Sequence, residues 1–453
     1  MNAARGLRRV LIVSYYFPPD NFIGTLRTGK FAKYLQENNW EPWVLTVETG
    51  LLTSVGSLPV EIPSERVIRA GFGKWLTALI FKRRNITPAI NGERSSKSAI
   101  PNFISFWRRV SRCLWVLFSG LFSDVRSPDR ASPWVFPALQ LAVDLLQRVP
   151  FDVVFSSHGP PSSHIVAALL TRRFGLPWIA DYRDLWSENH AHHRSWPLRV
   201  LEMHLERWVL SRASHLTTVS EPLAVRLRML HGKSVTVIQN GFDPDDFCEV
   251  TELSEKHKFR VVYTGMIYPG KQDPSIIFQA IKSILNNHQE LGAAIEVHFL
   301  GADPSQVFPF AEAYGVLEHV TVHARLPNAD ALRWQQESDI LLLLTWHDKS
   351  ANGYYTGKVF EYLGARRPIL ATGPSGSEVE KLLIRSQSGQ LATDATKAEE
   401  FILKQWSIKL NIGSTLLAER KSLLKPYTRG YQAGILAQVL DRIVENSRTK
   451  DLF

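Results

Sequence analysis

Short, almost unbroken apolar runs recur along this chain, each followed by a helix-length segment. In the first half they fall at residues 10–17, 42–47, 152–157, 177–181, 215–219 and 235–239. In the second half they fall at 259–264, 295–300, 320–324, 340–345 and 368–371. A strand that is apolar on both faces has to be covered on both faces, so this alternation predicts parallel sheets enclosed by helices. Residues 24–36 show the matching helical period through Leu26, Phe31, Tyr34 and Leu35. With 453 residues there is room for two such α/β arrays.

The boundary between them is expected at Asn240-Gly241-Phe242-Asp243-Pro244-Asp245-Asp246, a turn-rich stretch leading into polar residues 249–258. This gives a first domain over 1–241, a linker over 242–257 and a second domain over 258–426. Residues 48–130 are the least regular and read as an insertion. The last segment, 427–453, carries helical spacing through Tyr431, Ile435, Leu436, Val439, Leu440 and Ile443, and is expected to pack back on the first domain.

Two cysteines, Cys113 and Cys248, are too few for a disulfide framework and lack metal-ligand spacing, which points to a reducing compartment. No apolar run reaches the ~18–20 residues of a membrane span. The apolar run at 10–17 is stopped by Pro18-Pro19 and reads as a first buried strand, not as a signal peptide. The net charge of +10 favours anionic surroundings. Arg108, Arg109 and Arg112 lie among Phe103, Phe106, Trp107, Trp115 and Phe118. That pattern fits either a helix lying in an anionic membrane interface or an amphipathic helix packed on the core. No nucleic-acid-binding module is recognisable.

Four elements carry chemistry. The first follows the run 259–264 as Gly265-Met266-Ile267-Tyr268-Pro269-Gly270-Lys271, formally the start of a phosphate-cradling loop. Gln272 replaces the hydroxyl that would hold magnesium, and Asp339 precedes its strand instead of ending it, which argues against a nucleotide hydrolase. Lys271 remains either an exposed loop residue or a point charge for a diphosphate. The second is Gly353-Tyr354-Tyr355-Thr356-Gly357-Lys358-Val359-Phe360-Glu361. Small residues there are expected to open a helix and present free amides to an anion, with Glu361 two turns inside. Glu361 reads either as a ribose ligand or as a solvated helix residue. The third is Tyr15–Gly24, a proline-bounded loop in which Gly24 permits close backbone approach, with Arg27 one turn further on. The fourth pairs His158 with Asp181, Arg183 and Asp184, at the ends of two successive strands. These three charged residues read either as ligand groups or as a bracing ion-pair network. His190, His192 and His193 lack companions for a metal site.

In order and spacing, these elements together with Thr218-Val219-Ser220-Glu221-Pro222 and Ile238–Asp243 resemble the family 4 retaining glycosyltransferases, in particular the bacterial branch that builds cell-surface polysaccharides. The resemblance implies the GT-B fold, two Rossmann-like doubly wound parallel-sheet domains facing across a cleft. It implies a nucleotide-sugar donor, an acceptor that is lipid-linked or a saccharide, no metal or other cofactor, and a cytoplasmic enzyme peripheral on the inner membrane face. By position, Lys271, His158 and Glu361 would carry the catalysis. Gly24, Gly265, Lys271, Tyr355, Thr356, Gly357, Lys358 and Glu361 would bind the donor, and Arg27, Asp181, Arg183 and Asp184 would face the sugar and acceptor. Two positions depart from the family pattern: Gly353 stands where a first glutamate is usual, and Met266 where an arginine usually assists the phosphate lysine. A nucleotide-sugar epimerase of the same fold and a non-catalytic sugar-nucleotide binder are the alternatives.

Overall fold

The computed structural model describes residues 7–20, 23–49, 56, 58–72, 129, 131–189, 196–247, 257–346, 355–417 and 421–450. The aromatic-basic stretch, linker residues 248–256, the three histidines at 190–193 and the Gly353 position lie outside them.

The first sheet holds β1 (Arg8–Val13), β2 (Trp40–Val47), β3 (Val67–Ala70), β4 (Val153–Ser157), β5 (Trp178–Tyr182), β6 (His215–Thr218) and β7 (Val235–Val237), in the order β3-β2-β1-β4-β5-β6-β7. The second holds β8 (Phe259–Thr264), β9 (Ile295–Leu300), β10 (Val320–His323), β11 (Ile340–Leu344), β12 (Ile369–Thr372) and β13 (Gly389–Ala392), in the order β10-β9-β8-β11-β12-β13. The strand pairs in both sheets are parallel. The parallel pairing is what the apolar runs led one to expect, and the doubly wound order is what the family resemblance implied. The central strand β11, Ile-Leu-Leu-Leu-Leu, is buried at all five positions because helices cover both faces.

In each sheet successive strands are first laid down to one side, after which the chain crosses to the other. The reversals fall between β1 and β4 and between β8 and β11. Ligands of open parallel sheets bind at such reversals, beyond the carboxyl ends of the strands.

The edge strands β3 and β13 were not anticipated. β3 lies inside the segment read as an irregular insertion. Its four residues, Val-Ile-Arg-Ala, are mostly half-buried, and β13 reads Gly-Gln-Leu-Ala, so neither carries the apolar density of an interior strand.

The chain crosses between domains twice, and the crossings run side by side. Phe242 pairs with Thr428 in a parallel bridge, its amide donating to the Tyr427 carbonyl at 2.9 Å while the Arg429 amide donates to the Phe242 carbonyl at 2.8 Å. The helix Arg429–Lys450 then lies against Ile23–Leu35, burying Ala433, Leu436, Ala437, Leu440 and Val444 in one cluster with Val10, Ile12, Phe31 and Trp40.

Candidate functional site

At the first reversal, the ends of β1, β4 and β5 bring together four residues of the sequence reading. Asp181, with no exposed surface, accepts from Arg27 Nε at 2.9 Å and Nη2 at 2.8 Å, and from the hydroxyls of Ser157 and Thr217 at 3.2 and 2.8 Å. Its carboxylate is saturated. Arg27 is equally buried and spends Nη1 on the Gln239 carbonyl at 3.1 Å and the Asn240 Oδ1 at 3.4 Å. The two charges therefore neutralise each other beneath the strand ends, the bidentate pairing that planar guanidinium and carboxylate groups favour.

Arg183 is arranged differently. Its Nε donates to the His158 carbonyl at 3.0 Å and Nη2 to that of Gly159 at 3.1 Å. The guanidinium lies against two glycines: a Cβ on Gly24 or on Gly159 would overlap it. Gly24 thus makes room for a side chain of the protein itself, where the resemblance had suggested room for phosphates. Asp184, next along, is exposed.

The His158 ring stacks on Tyr182, centroids 5.2 Å apart and planes 10° from parallel, with Trp186 alongside. Both ring nitrogens are buried without a hydrogen-bond partner. Burial, reinforced by the neighbouring His164, pushes the imidazole well below its ordinary range, so it is neutral at physiological pH. Tyr182 is fixed from below: its hydroxyl donates to Glu206 Oε1 at 2.8 Å, while Glu206 Oε2 accepts the Ser187 amide at 3.1 Å. Burial alone would raise the Glu206 carboxyl, but bonds from His231, Ser187 and Tyr182 hold it below its ordinary value.

The second reversal gathers the other group. After β8 the loop turns at Gly265, whose φ of 114° lies in the region side chains avoid. Gln272 Nε2 donates to the Leu344 carbonyl at 2.6 Å, tying the loop to the end of β11. The residue that spoils the magnesium-binding pattern is thus a structural latch. Lys271 Nζ lies 4.4 Å from the centre of the Trp346 ring. Lys358 Nζ sits against Gly265 and 5.1 Å from the Tyr263 ring centre. Burial pushes this amine down to about 8, with Glu361 opposing.

The helix expected to open near Gly353 begins at Lys358, which puts Glu361 in its first turn instead of two turns inside. Burial raises the Glu361 carboxyl, against a 3.4 Å bond from Gln335 Nε2 and the charges of Lys358 and Arg429. Thr356 and Gly357 immediately precede the first helical residue, where helix amides are left over. The Tyr355 hydroxyl donates to Glu378 at 3.0 Å and accepts from Gln239 Nε2 at 3.2 Å, a direct contact between the domains.

Arg429 escaped the sequence reading. Buried at the second crossing, it donates to Asn240 Oδ1 at 3.4 Å, the same atom that Arg27 reaches. Burial, then Arg27, push its guanidinium down to about 9, with Glu361 opposing. Hydrogen bonds thus run from Asp181 through Arg27 and Asn240 to Arg429, whose charge acts on Glu361 at the second reversal. Nothing local to Arg429 signals this role, because only the return of the last helix places it.

Among the described residues no three His, Cys, Asp or Glu side chains converge as a metal site. No described helix is long and apolar enough to cross a membrane.

No curated protein matches the sequence. The profile of Glycosyltransferase Family 4 matches residues 110–246. Among solved structures, sucrose-phosphate synthase of Thermosynechococcus elongatus shares 13% identity at a TM-score of 0.53, covering 98% of this chain and 99% of that one. The N-terminal domain of Candida albicans trehalose-6-phosphate phosphatase shares 12% at 0.53, with 96% of each chain covered. Anabaena Alr3699/HepE in complex with UDP shares 12% at 0.53, covering 98% and 100%. At these identities the likeness establishes the fold, two Rossmann-like domains in the GT-B arrangement.

Proposed function

We propose that this chain is a glycosyltransferase that moves a sugar from a nucleoside-diphosphate sugar to an acceptor hydroxyl. The observation that carries this reading is the convergence of Lys271, Lys358, Gly265 and Glu361 on the carboxyl edge of β8 and β11. Two amines beside a glycine turn suit a diphosphate, and an enclosed carboxylate on the adjoining helix suits the two hydroxyls of a ribose. The family profile over residues 110–246 supports the reaction class. Anabaena HepE of the same fold, in complex with UDP and with UDP-glucose, supports the ligand class.

The difficulty of such a transfer is negative charge growing on the departing diphosphate while the sugar becomes oxocarbenium-like. Lys271, Lys358 and the amides ahead of Val359 would stabilise that charge without a metal. The acceptor would attack from the face the diphosphate leaves, giving retention, and a phosphate oxygen would take its proton. His158, neutral and with both nitrogens unpaired, would bond a hydroxyl of the transferred sugar. The acceptor is a saccharide or a lipid-linked glycan at an anionic membrane surface, in the synthesis of surface polysaccharide or glycolipid. Nucleic acid plays no part.

The test is a thermal-shift panel of nucleotide sugars, followed by mass detection of transfer to lipid-linked acceptors. Stabilisation by one donor and a product heavier by one sugar are expected. Donor isomerised with no acceptor present would replace this reading with an epimerase, and binding without turnover under any acceptor would replace it with a binding protein.

A further inference from the structure

The two strand-order reversals each hold a cation, but the first holds one that the donor-binding reading leaves without a purpose. Arg27 is neutralised by Asp181, whose oxygens are already filled by Arg27, Ser157 and Thr217. Arg183 stands beside this closed pair, and among the described residues no carboxylate comes within ion-pair distance of its guanidinium. Only two neutral carbonyls hold it, those of His158 and Gly159. Two glycines, one from each flanking strand-to-helix connection, leave the space its planar group occupies. A half-enclosed charge outside any ion pair is costly: burial lowers its affinity for the proton, and the charges of Asp184 and Asp181 only partly oppose this. Next to it lies a second unsatisfied group, the His158 ring, 5% exposed and with neither nitrogen bonded. A guanidinium that is oriented but unpaired, adjoining an unpaired buried imidazole at a strand-order reversal, is incomplete as a piece of structure and complete as half of an anion site.

We propose that Arg183, set in the Gly24–Gly159 slot, is a phosphate-binding residue of the first domain that receives a phosphate or pyrophosphate group across from Lys271 and Lys358. Its two carbonyl bonds fix the guanidinium plane, and Nη1, on the Gly24 side, is the edge left for the ligand. Two sources present this chemistry: the donor's diphosphate, and a diphosphate that links the acceptor to a polyprenyl chain. This assignment rests on the transferase reading for those two sources.

The experiment compares the full-length parent with Arg183→Gln by calorimetry, using three probes: inorganic pyrophosphate, the nucleoside diphosphate that stabilises the parent most, and geranylgeranyl diphosphate with geranylgeraniol as its uncharged control. A loss of about tenfold or more in pyrophosphate affinity is expected, with unfolding midpoints matched. An equal loss for the nucleoside diphosphate assigns Arg183 to the donor. A loss shared by pyrophosphate and geranylgeranyl diphosphate but not by the nucleoside diphosphate, with geranylgeraniol unaffected, assigns it to the acceptor. Affinities within twofold of the parent for all three probes overturn the proposal. If Arg183→Gln does not fold, Arg183→Lys takes its place: it keeps the charge but loses the fixed plane, so pyrophosphate binding weakened several-fold is expected and unchanged binding is the overturning result. Lys271→Ala measured alongside reads the transferase assignment separately, because retained nucleotide binding there defeats that reading without touching the Arg183 result.

Discussion

The Lys358 amine lies where a side chain on residue 265 would begin, over the ring of Tyr263. The two positions are 93 residues apart in the chain, yet each restricts the other. At φ 114° an alanine at 265 is strained by about 1–3 kcal/mol, and its methyl group would displace the amine. Gly265→Ala should therefore lower the unfolding midpoint modestly and weaken nucleoside-diphosphate binding about tenfold or more. Binding equal to the parent's would place Lys358 outside the phosphate site.

The same amine makes binding sensitive to alkali. Burial brings it down to about 8, so the cation is present below that pH and is lost above it. Affinity for a nucleoside diphosphate should fall as pH rises through about 8 and beyond, the bound anion moving the midpoint upward. Lys358→Arg, which stays charged, should flatten the profile. A calorimetric series at rising pH reads both, and an identical slope in the two proteins rejects Lys358 as the titrating ligand.

Lys271 rests on the face of Trp346, and among the described residues it pairs with no carboxylate, so removing it strands none of them. Lys271→Ala should abolish sugar transfer while shifting thermal stability by no more than a degree or two. Transfer at the parental rate would exclude this residue from the mechanism.

The interior strands were legible because their apolar runs must be buried on both faces, and β11 could be nothing else. The edge strands β3 and β13 were not, since a half-solvated four-residue strand needs no unbroken apolar run. The start of the helix at Lys358 was misjudged because Gly357 offers no capping side chain to mark it. Arg27 illustrates the larger limit. Its place beside Gly24 showed in the sequence, but not that Asp181, 154 residues away, would take its charge. The return of the last helix was anticipated, but no local pattern shows that it would enclose Arg429 beside Asn240 and Arg27.

Acid should loosen the first domain through its buried histidines. Burial holds His158 well below its ordinary value, His164 at about 3 and His215 at about 4, each against about 6.5 when unfolded. Below pH 6.5 the unfolded chain binds protons that the folded chain refuses, so stability rises with pH up to that point and is lost beneath it. Each histidine contributes about 1.4 kcal/mol per pH unit in that window. The urea midpoint should fall between pH 7 and 5.5, and His164→Asn should fall less steeply. A parental midpoint that is flat over this range would mean these rings accept protons without leaving the core.

Asp243, the first residue past Phe242, anchors the crossing to the helix Ile23–Leu35. Its carboxylate has no exposed side-chain surface and lies 2.6 Å from Lys30 Nζ, itself 5% exposed, and 2.8 Å from Lys33 Nζ, while the Tyr34 hydroxyl donates to its other oxygen. Burial would raise this carboxyl, but the bonds from Lys30, Lys33 and Tyr34 bring it down to about 2. Removing it strands Lys30 with only the more exposed Asp246 and Glu61 for company. Because breaking one side of an enclosed ion pair costs more than the pair contributes, Asp243→Ala should destabilise the protein by about 3 kcal/mol or more at pH 7. Asp243→Asn, which keeps an acceptor for Tyr34, should cost less. If the proposed transfer encloses its donor by domain closure, the crossing at Phe242 would be the pivot, and kcat should then fall in both variants even at temperatures where they remain folded. Urea titration and turnover at 20 °C measure the two effects independently. Full turnover in a variant destabilised by the expected amount would show that this anchor serves stability alone and that the pivot lies elsewhere.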